Sequence, residues 1–79
     1  MICVSYTLRI DQGVLFCTLT TDDCKQKTLP ILPRGTKSTD LVLWVSEEEF
    51  IPVAQKHFEE IERDMQRRFP ESELRLCFD

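Results

Sequence analysis

The sequence predicts an α+β domain: an antiparallel or mixed sheet of four or five strands with one main helix packed on one face, in the order β-β-(β)-β-α-β. Three observations carry that prediction. Residues 46–69 are the only segment with sustained helical periodicity. Residues 2–10 and 73–78 alternate apolar and polar side chains with a period of two. Residues 41–45 form a continuous apolar run of strand length. Runs of strands with a single helix near the end make an α+β layer structure rather than a doubly wound one.

The elements follow in chain order. Ile2, Val4, Tyr6, Leu8 and Ile10 face one way and Cys3, Ser5, Thr7 and Arg9 the other, which is a half-buried strand. Asp11-Gln12-Gly13 supplies turn chemistry, and Val14–Thr20 reads as a second strand completing a hairpin. Leu15, Cys17 and Leu19 share one face of it, with Val14 and Phe16 on the other. Thr21–Thr39 is polar and contains Pro30, Pro33 and Gly35. The expectation is a short strand or edge segment over Lys25–Leu29, then an extended or turn-like excursion over Pro30–Gly35 with Ile31 and Leu32 pinned to the core.

Leu41–Val45 is expected to be a central strand covered on both faces. Ser46, with Glu49 three residues on, has the pattern of a capping box. Glu47, Glu48 and Glu49 suit the start of a helix dipole and Arg67 and Arg68 its end. Pro52 is compatible with a bent helix or with a short turn over Ser46–Phe50 and a helix beginning at Pro52. The second is preferred, because proline at the first helical position sacrifices no hydrogen bond. Ala54, Phe58, Ile61, Met65 and Phe69 recur at spacings of three and four and form one apolar stripe. Pro70 ends the helix, and Leu74, Leu76 and Phe78 alternate with Glu73, Arg75 and Cys77 in a last strand. If Leu41–Val45 and Leu74–Phe78 lie parallel, the helix is the crossover between them.

One helix covers one face of a sheet, yet the second strand and Leu41–Val45 are apolar on both. The other face then needs a cover: the Thr21–Thr39 segment, a second copy of the chain, or a different protein.

Composition narrows the function classes. Seventy-nine residues, 42% apolar and 30% charged, fit one soluble domain over residues 1–79. No apolar run approaches the roughly 20 residues needed to cross a bilayer. MICVSYTLRI lacks the basic and long apolar regions of a signal peptide, so a cytoplasmic location is expected, with the four cysteines as thiols rather than disulfides. A disulfide such as Cys3–Cys17 across the hairpin is geometrically conceivable, but the expected compartment argues against it. No two cysteines are closer than seven positions, so zinc-type spacing is absent and no metal or other cofactor is expected. His57 is the only imidazole and borders the apolar stripe. Cys24 follows Asp22 and Asp23, whose charges oppose thiolate formation. Two glycines cannot build a phosphate-cradling loop. The chain is therefore expected not to be an enzyme.

The net charge of −4 is uneven: residues 1–39 carry five bases against three acids, and residues 40–79 five bases against eleven acids. The acidic half weighs against general affinity for phosphate backbones. Lys25, Lys27, Arg34 and Lys37 cluster in one loop and make a nucleic-acid-binding regulator the alternative, although no aromatic residue interleaves with them to stack bases.

Ile61, Arg63, Gln66, the Phe69-Pro70 helix stop and the following strand with Leu74 and Leu76 give IERDMQRRFPESELRLCF a likeness. This segment resembles a local signature of the DNA-damage-inducible protein I family, small bacterial and phage proteins that act on the recombinase filament of the SOS response. The resemblance implies a shared β-α-β piece, with Leu41–Val45 as its first strand, and a bacterial, phage or plasmid origin. That family continues into a further strand and an acidic C-terminal helix, whereas here a hairpin precedes the shared piece, so the recombinase-directed function is not carried over.

The function expected from the sequence is a small non-enzymatic interaction protein: an inhibitor or modulator of a larger macromolecular machine, of phage or mobile-element type, with anti-CRISPR-like or DNA-mimicking action as examples. Its binding residues are either Glu59, Glu60, Glu62 and Asp64 with Arg63 and Arg67 on the outer helix face, or Phe16 and Trp44 on the open sheet face. A structural homodimer through the uncovered sheet face is a further alternative.

Overall fold

The structure, a computed structural model, describes residues 3–35 and 37–78, with only the backbone at 37 and 38. Five strands and one helix follow one another as β1 (Ser5–Asp11), β2 (Val14–Thr20), β3 (Gln26–Arg34), β4 (Lys37–Val45), α1 (Ile51–Arg68) and β5 (Glu73–Phe78). They build a single mixed sheet in the order β1-β2-β3-β4-β5. The first four strands form an antiparallel meander, and β5 joins β4 in parallel after the helical crossover. This is the α+β architecture the periodicities predict.

The β1–β2 turn has Gln12 at φ 51° and Gly13 at φ 79°. Two consecutive left-handed residues are what a two-residue hairpin needs to match the strand twist. Gly35, at φ 75°, turns β3 into β4.

Residues 21–39 correct the sequence expectation. The strand expected over Lys25–Leu29 is there but is longer and interior: β3 runs unbroken from Gln26 to Arg34 between β2 and β4 in place of a turn-like excursion, and β4 begins at Lys37 rather than Leu41. Proline supplies no ladder donor and is unusual in an interior strand. Its fixed φ is nevertheless compatible with extended backbone, and Pro33 sits where the β3–β4 register shifts, next to Arg34. Ile31 is buried as expected, but Leu32 points to the opposite face and is 47% exposed.

The helix start is also corrected. Ser46 and Glu49 form no capping box: residues 47–50 make turns in which the Phe50 and Ile51 amides donate to the Glu47 and Glu48 carbonyls at 3.0 and 3.3 Å. Phe50 takes the cap position without a side-chain bond, and no acid lies in the first turn. The preferred turn-then-helix reading holds to within one residue, since α1 begins at Ile51 and Pro52 is second. Arg67 and Arg68 occupy the last turn.

The core lies between α1 and one sheet face. Leu15, Cys17, Leu19, Ile31, Leu43, Val45 and Leu74 meet Phe50, Val53, Ala54, Ile61 and Met65, with Phe58 and Phe69 at its margin. Burial of Cys17 pushes its thiol up to about 12.

Cys3 and Cys24 are joined as a disulfide, contrary to the expectation of four thiols. Continuing the β1–β2 register beyond Ser5↔Thr20 brings position 3 level with the β2–β3 turn. That turn is closed by the Thr21 amide on the Lys25 carbonyl at 2.9 Å, and within it Cys24 adopts φ 64°. Cys17 and Cys77 remain free.

Candidate interaction surface

The face of the sheet opposite α1 has no covering element among the described residues, and its composition is divided along the strands. One end is polar. Thr7, Thr18 and Thr28 stand in a cross-strand row, with the Thr18 and Thr28 hydroxyls 2.9 Å apart. The other end is apolar and has two rows. In the first, Arg9, Phe16 and Pro30 are in register, the β3–β4 register continued by one residue puts Pro30 level with Trp44, and Trp44 pairs with Cys77. In the second, Asp11 pairs with Val14, Val14 comes level with Leu32, and Leu32, Val42 and Arg75 are in register. Alternation explains both rows: each of these positions except Asp11 is adjacent in sequence to a residue of the core or packed against it.

Trp44 is 50% exposed while its neighbours Leu43 and Val45 are fully buried. The sequence reading of Leu41–Val45 as a strand covered on both faces is thus corrected. Its continuous apolar run serves a core on one side and an open surface on the other.

Charge frames the apolar end. The Arg9 guanidinium lies 5.8 Å from the Phe16 ring centroid, within cation–π range. Arg34 Nη1 donates to Cys77 Sγ at 3.3 Å, so this side chain lies over the same face. Arg75 Nε stands 3.3 Å from Asp40 Oδ1. Three guanidinium groups are matched by Asp11, Asp40 and Glu73 on the same face, which makes its described charges sum to zero on a chain of net charge −4.

The outer helix face is less free than its sequence implies. Asp64 accepts a hydrogen bond from Tyr6 Oη at 2.8 Å and pairs with Arg67 at 3.1 Å. Burial, then the Asp64 bond, raises the Tyr6 hydroxyl to about 12. Glu60 lies 3.7 Å from His57 Nδ1, beyond hydrogen-bond reach, and neither ring nitrogen of His57 has a hydrogen-bond partner among the described residues. Glu59 and Arg63 are exposed and Glu62 is partly buried.

The four bases of the alternative reading are not brought together. Lys27 Nζ pairs with Glu47 at 2.7 Å, and Lys25 Nζ lies 3.4 Å from Glu49 and 3.7 Å from Asp23. The Glu49 bond raises the Lys25 ammonium above its ordinary range. Arg34 is on the open face, and the Lys37 side chain lies outside the described residues. Sequence reasoning found Phe16 and Trp44 but missed Leu32, Pro30, Arg9 and Arg75. The signal for Leu32 and Pro30 was alternation with Ile31, hidden by reading the two prolines as strand breakers.

A concavity of about 280 Å³ opens beside Leu15, Ile31, Leu41 and Phe69, and Ser72 is the only side chain in its lining that bears a hydroxyl. Among the described residues no three His, Cys, Asp or Glu side chains are grouped to hold a metal ion. No helix of the described residues is long and apolar enough to cross a membrane. Set against protein-family models, curated proteins and solved structures, the chain matches none.

Proposed function

We propose that this protein is a small, cytoplasmic, non-enzymatic interaction protein, an inhibitor or modulator of a larger assembly of phage or mobile-element type, whose open sheet face is a protein-docking surface. The observation that carries the reading is Trp44, half exposed beside Phe16, Leu32 and Val42 in the middle of an uncovered sheet. Tryptophan and arginine framing aliphatic residues is the composition of interface anchors, and a rigid sheet presents them with little ordering entropy left to lose. Balanced charge on this face suits a protein partner better than a polyanion. The helix face is the weaker candidate, because Asp64 is already held by Tyr6 and Arg67.

The test is affinity capture with matched variants. Trp44→Ser with Leu32→Ser should abolish retention of the bound protein. Glu59→Lys with Glu60→Lys and Glu62→Lys should leave it. The opposite pattern moves the surface to the helix, and retention by both variant sets overturns the reading.

A further inference from the structure

We infer that the occupant of the open sheet face is a second copy of this chain, seated face to face about a two-fold axis that runs along β3. The inference rests on the open face being a docking surface and names what docks there. A two-fold axis parallel to the strands keeps each row at its own level and exchanges strands across β3. Thus β1 lies over β5 of the second copy, β2 over β4, and β3 over β3. Most positions of the two apolar rows then match, while Arg34 at the end of β3 comes level with its own copy and turns its guanidinium aside toward Cys77. Phe16 stands over Trp44 of the second copy, Val14 over Val42, Leu32 over Leu32, and Asp11 over Arg75. Aromatic meets aromatic, aliphatic meets aliphatic, and each edge carries one acid–base pair, twice by symmetry. An axis across the strands through the middle of the sheet would instead lay the Thr7, Thr18 and Thr28 end on the apolar end.

Charge favours a second copy over other occupants. Two chains of net charge −4 repel through an acidic surface, whereas this face carries three guanidinium and three carboxylate groups. A polyanion gains nothing from such a face. The extent also suits self-association. Five strands about 4.8 Å apart, with six to nine residues at about 3.3 Å each, present roughly 600 Å² in projection. That approaches the roughly 800 Å² per partner of a standard interface. Two such faces packed at about −30° form an aligned sandwich whose second core is the present open surface. The two helices then lie on the outer sides of the dimer.

Sedimentation equilibrium from micromolar to millimolar protein reads the outcome. The mass should rise from 9.3 kDa to twice that value. The emission of Trp44, the single tryptophan, should shift to the blue over the same range. Asp11→Arg or Arg75→Asp alone should weaken association about tenfold, and the double reversal should restore it. Leu32→Asp, which places two carboxylates against each other on the axis, should leave a folded monomer by circular dichroism. A wild-type monomer at every concentration overturns the second-copy inference and leaves the docking surface standing if the Trp44 and Leu32 variants still lose a captured partner. A dimer indifferent to Leu32→Asp and to the charge reversals overturns it as well, because association then uses another surface.

Discussion

Val42 and Val45 occupy the same strand, and the same substitution at each separates the two faces of the sheet. Val45 is fully buried beneath α1, whereas Val42 belongs to the open face and is partly exposed. Threonine is nearly isosteric with valine and equally content in a strand, so neither change opens a cavity or alters backbone preference. What differs is the surrounding of the new hydroxyl. Under the helix it lies fully buried in the apolar core, and an unpaired hydroxyl there costs about 1–3 kcal/mol. On the open face it meets water, and the cost should stay within about 0.5 kcal/mol. A chain of this size stands to lose a large share of its stability, since roughly 0.05–0.15 kcal/mol per residue is typical. Urea unfolding at low micromolar protein, with a slope of about 1 kcal/mol per molar, should lower the midpoint by about 1–3 M for Val45→Thr and by about 0.5 M or less for Val42→Thr. Equal shifts at that concentration would refute the one-sided core. If the open face pairs two copies, repeating the melts at a hundredfold higher concentration should widen the Val42→Thr deficit alone, because a dimer would stabilise the wild type by mass action.

Stability should fall with alkalinity between about pH 9 and pH 12. The buried Cys17 thiol is raised from 9.0 to about 12, so the unfolded chain releases its proton first and binds fewer protons in that window. Three units correspond to about 4 kcal/mol as an upper figure, fully retained below pH 9. Tyr6 acts in the same direction above pH 10. Urea midpoints measured from pH 7 to 11 should decline, and Cys17→Ala should flatten most of the decline. Reduction of Cys3–Cys24, which spans 21 positions, should cost about 3 kcal/mol on the loop-entropy account, read as a lower midpoint in dithiothreitol. A double Cys3→Ser, Cys24→Ser variant should match the reduced protein. Gln12→Asn should add about 0.5 kcal/mol, because asparagine tolerates the left-handed φ of 51° better than glutamine, and thermal melts will show whether it does.

The elements with clean periodicity were legible before any coordinates. The alternation in residues 4–10 and 73–78 and the stripe of Ala54, Ile61 and Met65 are local signals, and each matches its observed face. Non-local pairing was not legible. Nothing in QKTLPILPR states that strands flank it on both sides. Two prolines argued the reverse, and only the ladders to β2 and β4 make the segment a strand. The capping pattern at Ser46 failed because Phe50, 2% exposed, is held in the core and places the helix start beyond the turn. The Cys3–Cys24 pairing depended on register past the end of β1, which spacing in the chain does not encode. Of the surface, the apolar excess on two strands was visible, as was Trp44. The guanidinium groups around it came from three different strands and could be gathered only by the sheet.

Because every strand lies beside its predecessor, a growing chain can lay down four of them as each leaves the ribosome. The lid arrives afterwards. Residues 46–68 must still be made before Ile61 and Met65 reach Leu19 and Leu43, a delay of about 1–5 s at ordinary synthesis rates. For that interval the nascent meander is greasy on both sides, and its dependence on chaperones should be concentrated there.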